Sequence, residues 1–315
     1  MRSGSDDRGS PERPATESPG RLLAVATAVL LTLIWGTTWA AIRISLEGFA
    51  PLTGLALRLA LGSGILLLAA WVGKVRLGRT RHEIPLWLVQ CVFAFGLAYA
   101  LVYWAEQWVP SGLTAVLFAT LPFFVALFAY FLVPEERLGV LGLCGMVVGF
   151  AGVAVIFSED LDRLAGAEVR QAALVLLIGP ASIAFSEVAV KRWGHEVHAL
   201  SLTAVPMAMS SVLLGALAAA FERHRPIVPA PAPVAAVLYL AVFGSAVAFS
   251  LFFWLLKHVT VTQLSLTAFG IPVVAVVVGT VFLDEPFTPR MAAGAALVIA
   301  GAALVMRRSA PSPET

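Results

Sequence analysis

Residues 98–135 read AYALVYWAEQWVPSGLTAVLFATLPFFVALFAYFLVPE, and residues 248–285 read AFSLFFWLLKHVTVTQLSLTAFGIPVVAVVVGTVFLDE. At a constant offset of 150 positions, Ala98 meets Ala248, Trp104 meets Trp254, Pro122 meets Pro272 and Glu135 meets Glu285. An alanine match is cheap in an apolar background. A tryptophan, a proline and a glutamate matched in one register are not, and they indicate a duplication. Downstream the register slips by one, so that Gly145 and Gly152 correspond to Gly294 and Gly301.

Outward from this pair, the chain is a series of apolar runs separated by short charged or proline-bearing breaks. A membrane helix needs about 20 such residues, whereas strands of a membrane barrel alternate apolar and polar positions. The runs are continuous, so the expectation is an all-α membrane protein. Ten spans are expected, at 22–42, 51–73, 84–107, 111–133, 138–157, 170–190, 199–221, 233–256, 261–283 and 289–306. Pro51, Pro85 and Pro289 each head a run, where a missing N–H costs nothing. Residues 1–20 carry no apolar run and read as a disordered tail, not as a cleaved signal peptide. Residues 307–315 form a second tail.

Composition excludes whole classes of function. Of the 315 residues, 59% are hydrophobic and 13% charged, against about 25% charged in ordinary soluble chains. Mean hydropathy is +0.90. Such a chain cannot clothe a water-facing surface, which excludes a soluble enzyme. A net charge of +2, with the basic residues confined mostly to breaks, excludes nucleic acid as a partner. Cys91 and Cys144 lie inside expected helices and imply neither a disulfide nor a metal framework. Counting Lys and Arg on alternate sides gives fourteen on the side of both termini against six opposite, which places the termini in the cytoplasm.

Five spans per half is an odd number, so the halves, 21–158 and 169–306, would enter the membrane in opposite senses. Inverted repeats serve alternating-access carriers, with the site at the interface between them. An intramembrane enzyme is the competing class. All five histidines (His82, His195, His198, His224 and His258) fall in loops or at helix ends, away from any serine or metal-ligand spacing within a span. No nucleotide-binding loop suggests a primary pump. No cofactor is called for.

Further stretches carry a family likeness. They are Trp35-Gly36-Thr37-Thr38-Trp39 with Arg43 one turn later, Arg58, Leu97-Ala98-Tyr99-Ala100 followed by Trp104, and Pro122 with Glu135 repeated as Pro272 with Glu285. In this ordered set, over 22–306, the chain resembles the EamA-type transporters of the drug/metabolite transporter superfamily. The resemblance implies a ten-helix, inverted-repeat carrier in the cytoplasmic membrane, moving amino acids, other metabolites or drugs, often outward. It also implies a cavity lined by the first, third, fourth, sixth, eighth and ninth spans. Relatives often carry a glutamate where this chain has Ile271 and a basic residue where it has Gln107. The energy source therefore does not carry over from the family, and proton coupling is left open. An amino-acid or metabolite exporter is the first reading and a multidrug exporter the second.

The candidate substrate-binding residues each have a plainer alternative. Pro122 and Pro272 free the carbonyls of Phe118 and Ala268, which would line a cavity or merely accompany a kink. Trp35 and Trp39 share a helix face, as do Tyr99 and Tyr103; with Trp104 they would wall a cavity or form an interfacial belt. Ser182, beside Gly179-Pro180, would open its helix toward the cavity. Arg58 is the one basic residue well inside a run, where burial costs at least about 2.5 kcal/mol. It lies roughly 10 Å from the head of its helix, within reach of the interface by snorkelling; otherwise it would hold a substrate carboxylate. Glu187, four residues before Lys191, reads as an interfacial pair or a coupling carboxylate. Glu135 and Glu285 read as loop-pinning residues. Gly145-x-x-x-Gly149 reads as helix packing or as the contact of a homodimer.

Overall fold

The computed structural model describes residues 21–78, 83–133, 139–158, 166, 168–194, 197–258 and 261–306. The two tails, Glu135, Arg137 and His195 therefore lie outside the described residues. Among those described the chain is all helix and turn, with no strand. Among the described residues, eight helices are long and apolar enough to cross a membrane. They are α1 (Leu22–Ser45), α2 (Pro51–Val72), α3 (Glu83–Ala105), α4 (Ser111–Leu132), α5 (Val140–Phe157), α6 (Val169–Trp193), α7 (Ser201–Phe221) and α8 (Pro231–Phe252). Two further helices, α9 (Val261–Phe282) and α10 (Pro289–Met306), carry shorter apolar stretches.

Several helices are interrupted, and the interruptions have causes. In α4 the helix breaks at Ala119–Thr120 and restarts with Pro122 in its first turn, where a proline fits without loss. Pro272, by contrast, is carried inside a continuous α9. Helix α3 runs through a π-helical segment, Gln90–Ala98, and α8 through another, Val242–Val247. Subtracting the offset of 150 moves the second segment onto 92–97, inside the first. Wide turns of this kind leave backbone carbonyls in need of partners. Here serines supply them: Ser182 Oγ donates to the Phe93 carbonyl (2.7 Å), Ser210 Oγ to that of Cys91 (2.9 Å) and Ser245 Oγ to that of Leu240 (2.9 Å).

The helices pack in a reciprocal pattern. Helix α1 lies on α8 and α9 as α6 lies on α3 and α4; α2 lies on α8 as α7 lies on α3. The remaining major pairs, α2 with α7, α4 with α9 and α5 with α10, each join one helix to its counterpart five places on. Glycine permits the tightest of these. A Cβ built on Gly145 would stand 2.7 Å from the Gly301 carbonyl oxygen, and one on Gly152 would stand 2.6 Å from that of Gly294. The α5 glycine stripe, which the sequence left open between packing and a dimer contact, is thus occupied within the chain.

Loop glutamates cap the heads of distant helices at one end of the bundle. Glu222, just past α7, accepts from the backbone N–H groups of Leu52 (2.9 Å) and Thr53 (2.8 Å) and from the Thr53 hydroxyl (2.8 Å), closing the head of α2. Glu285 does the same for α4 through Ser111 N (2.7 Å), Ser111 Oγ (2.9 Å) and Gly112 N (3.0 Å). A carboxylate on unsatisfied N–H groups at a helix N-terminus is favoured by both hydrogen bonding and the helix dipole.

Candidate functional site

Arg58 organises the interior. Its side chain is 4% exposed, so it does not snorkel. With Glu222 holding the head of α2, the guanidinium turns inward against α8 and α3. Nε donates to Ser245 Oγ (3.3 Å), and the guanidinium carbon lies 5.1 Å from the centre of the Tyr99 ring. Gly244 lies beside it: a Cβ there would meet Arg58 Nη2 at an ordinary 3.6 Å and would press on the Thr38 methyl at 2.9 Å. Among the described residues no carboxylate forms an ion pair with Arg58, which is unusual for a cation inside a membrane protein.

An aromatic wall runs from this cation. Ring centres step from Tyr99 to Phe95 (5.9 Å), to Phe249 (6.0 Å), to Trp35 (6.0 Å) and to Phe252 (5.6 Å). It joins α3, α8 and α1. Trp39, one turn from Trp35, packs on Phe118 (5.1 Å), the residue just before the break in α4. Aromatic faces of this kind receive apolar or cationic groups of an organic solute.

Glu187 completes the set. It is nine residues from Ile178 on α6, two and a half helical turns, and so occupies the opposite face. Ile178 is 51% exposed on the outside of the bundle. Glu187 is exposed as well, yet it acts electrostatically on Tyr99 together with Arg58. Its open surface therefore lies away from the outer face of the bundle, and one acidic and one basic group, Glu187 and Arg58, both act on Tyr99.

The other sequence candidates fall elsewhere. Tyr103 is fully buried, its hydroxyl beside Arg58 and Ser45. Trp104 turns away and packs on Trp108 (5.0 Å). It lines a groove of about 310 Å³ with Leu97, Leu101, Gln107, Glu222 and Arg225, whose walls do not include Arg58. Ser182 serves the π segment of α3, as described above. Pro272 is buried where α9 meets α1; a Cβ on Gly36 would come within 2.5 Å of Val274. Pro122, at the break in α4, places Phe118 against Trp39 and is not the twin of Pro272 in geometry.

Sequence reasoning missed Ser245, Phe95 and Phe249, and it gave no role to Glu106. The small-residue run Gly244-Ser245-Ala246 carried some signal, since it admits close approach in the middle of a span.

Comparisons with known proteins agree with this architecture. The model of the EamA-like transporter family matches twice, over residues 22–158 and 170–307. The chain is 30% identical to the "Probable terminal-alkyne amino-acid exporter" of Streptantibioticus cattleyicolor, covering 91% of this chain and 94% of that one. It is 32% identical to the "Uncharacterized inner membrane transporter YedA" of Escherichia coli (strain K12), over 79% of each. It is 26% identical to the "Uncharacterized transporter YvbV" of Bacillus subtilis (strain 168), over 90% of this chain and 92% of the relative. A solved structure titled "Crystal structure of protein" shares the fold, with a TM-score of 0.64 at 20% identity, over 90% of this chain and 97% of the other. With matched halves, membrane-length helices and these relatives, the chain belongs to the EamA-like transporter family, as a multi-pass membrane transporter of the drug/metabolite type.

Proposed function

We propose that the protein is a secondary carrier for a small zwitterionic solute, an amino acid or a close metabolite, moving outward across the cytoplasmic membrane by alternating access. The observation that carries the reading is Arg58: a buried guanidinium with no carboxylate paired to it among the described residues, set on an aromatic face. A solute carboxylate fits its planar fork. The solute ammonium faces Glu187, and the solute side chain lies on the wall of Phe95, Phe249 and Trp35. The exporter named for a terminal-alkyne amino acid supports this class of solute.

The scaffold would be ten spans in two inverted repeats, residues 21–158 and 169–306, with both tails in the cytoplasm. Three observations support it. The principal helix pairs map onto one another when every helix is moved five places. The two π segments stand at equivalent positions. Corresponding glycines cross-pair, Gly145 on Gly301 and Gly152 on Gly294, as positions related by a two-fold axis do. In this orientation Glu222, Glu285 and Glu106 face outward. Helices that exchange counterparts across such an axis can rock between inward-open and outward-open forms around a fixed site.

The test is counterflow of labelled glycine, L-leucine, L-phenylalanine, L-threonine and L-lysine in proteoliposomes. Exchange of at least one neutral member, lost in Arg58→Gln and partly kept in Arg58→Lys, supports the reading. Absence of exchange for all five refutes the amino-acid assignment and points to the multidrug alternative.

A further inference from the structure

Glu106 stands at the end of α3, one residue past the Glu83–Ala105 span. Its side chain has no exposed surface, and neither carboxyl oxygen meets a hydrogen-bond donor. Among the described residues, the other buried side-chain atoms in that condition are the Tyr103 hydroxyl and Trp39 Nε1. Arg43 reaches the same residue, but its Nη1 donates to the Glu106 backbone carbonyl and not to the carboxyl. Glu285 is near enough to act on Glu106, yet its own oxygens are occupied by Ser111 and Gly112. A carboxylate in such a place would be a dry, uncompensated charge, and proteins resolve that by keeping the proton. Burial holds the Glu106 carboxyl well above the usual carboxylate range; Glu285 pushes the same way, while Arg43 and Arg58 oppose it.

We propose that Glu106 is a proton-binding site of the carrier, coupled to the solute through Arg58. The inference rests on the assignment of Arg58 to the solute carboxylate. The charged groups that face Glu106 are Arg43 from α1, Arg58 from α2 and Glu285 from the loop after α9. Tyr103, one turn back on α3, is acted on by both Glu106 and Arg58. Arg58 thus answers to two acids, the solute carboxylate at Tyr99 and Ser245 and the Glu106 carboxyl that it acts on.

With its proton in place Glu106 is neutral, and the full charge of Arg58 is available to the solute. When Glu106 gives that proton to water, its carboxylate shares the guanidinium and the solute is held less tightly. By reciprocity, a bound solute carboxylate tightens the proton on Glu106. Solute and proton therefore bind and leave together, and a carrier running outward from a loaded cytoplasm takes one proton with each solute. A metal cation does not suit the place, because two guanidinium groups act on it and no cluster of three metal-ligating side chains is present among the described residues.

The test needs no solute. The full-length protein in liposomes is titrated from mildly acidic to mildly alkaline pH while infrared spectroscopy follows the carbonyl band of protonated carboxyls. The expected result is a band component present at neutral pH in the wild type and absent in Glu106→Gln. The band should persist to higher pH in Arg58→Gln, where an opposing cation is gone, and return toward the wild-type titration in Arg58→Lys. A Glu106 band that is missing at neutral pH, or that ignores Arg58, overturns the proposal. A band that behaves as expected while no panel amino acid exchanges would uphold the proton site and count only against the amino-acid reading. Where exchange is found, L-leucine or L-phenylalanine entering by counterflow should move protons, read with a trapped pH dye, and Glu106→Gln should exchange the solute without them.

Discussion

Gly145 on α5 faces Gly301 on α10 so closely that a Cβ on either would lie within 2.7 Å of the other's carbonyl oxygen. In hydrocarbon, helices gain nothing by hiding apolar surface from one another, since lipid is equally apolar; close van der Waals contact is what holds them. The contact repeats one step along the same pair of helices at Gly152 and Gly294. Gly301→Leu should therefore separate α5 from α10 and cost about 1–3 kcal/mol or more, as overpacking does. Thermal unfolding in detergent is the measure. A matching substitution at Gly215, where nothing lies within 4 Å of a built Cβ, should leave the melting temperature almost unchanged. Equal losses at Gly215 and Gly301 would show that the close approach has no special weight.

The Glu285 carboxylate ties the loop after α9 to the head of α4. Loss of a helix N-cap costs about 1 kcal/mol, and here one side chain serves two backbone N–H groups and a hydroxyl. Glu285→Ala should lower the melting temperature more than Ser111→Ala, which removes the hydroxyl contact alone. The reverse order would mean that the backbone contacts contribute little.

The framework of spans was legible because it depends on hydrophobicity, which is a property of local sequence. Most of the expected ends fall within a few residues of the observed ones; α3 begins at Glu83, and α7 covers Ser201–Phe221. Pro122 and Pro272 look identical as sequence signals. They diverge because whether a helix breaks at a proline depends on what can satisfy the freed carbonyl, a tertiary matter. Arg58 misled for the same reason. Its distance from the helix head permits snorkelling, and only the placement of Glu222, Ser245 and Tyr99 decides against it. Ser182 was legible as a residue that matters, but its partner, the Phe93 carbonyl, is exposed for bonding only by the π segment, and no composition rule locates such a segment. Glu106 carried no signal at all, since burial of a helix-end carboxyl is invisible until α1, α2 and the loop after α9 close around it.

Burial of the Glu106 carboxyl has a thermodynamic sign. In the folded chain its proton is held above the ordinary carboxylate range, whereas the unfolded chain releases it within that range. At pH below that range both states are protonated and the group contributes no penalty. As pH rises through it toward neutrality, the unfolded state alone loses the proton, so stability falls. Glu106→Gln removes this loss. Its melting temperature should exceed that of the wild type at neutral pH and converge with it in mild acid. A variant less stable than the wild type at neutral pH would mean that the carboxyl has a partner in the folded state.

Ser182 Oγ donates to the Phe93 carbonyl at 2.7 Å in a buried position. Removing the hydroxyl leaves that carbonyl without its side-chain partner, at a cost of about 1–3 kcal/mol. Ser182→Ala should lower stability while leaving solute affinity nearly intact, because the hydroxyl faces α3 and not the Arg58 cation. A loss of affinity in Ser182→Ala without loss of stability would restore it to the solute site.

Tyr99 and Trp104 lie five residues apart on α3, and the structure gives them opposite surroundings. Tyr99 carries the Arg58 guanidinium on its ring and opens on the interior side that Glu187 shares. Trp104, 37% exposed, packs on Trp108 over a groove at the Glu222 end. A cation–π contact that is shielded from water is worth about 2 kcal/mol, and the ring also fixes the direction of the guanidinium fork. Tyr99→Ala should therefore weaken solute binding by more than tenfold, about 1.4 kcal/mol, and Tyr99→Phe should keep most of it, since the ring and not the hydroxyl meets Arg58. Trp104→Ala should alter counterflow little. Competition binding with the transported amino acid separates the two positions: equal losses at Tyr99 and Trp104 would place the solute across both, and a loss confined to Trp104 would move the site from the Arg58 interior to the groove beside Glu222.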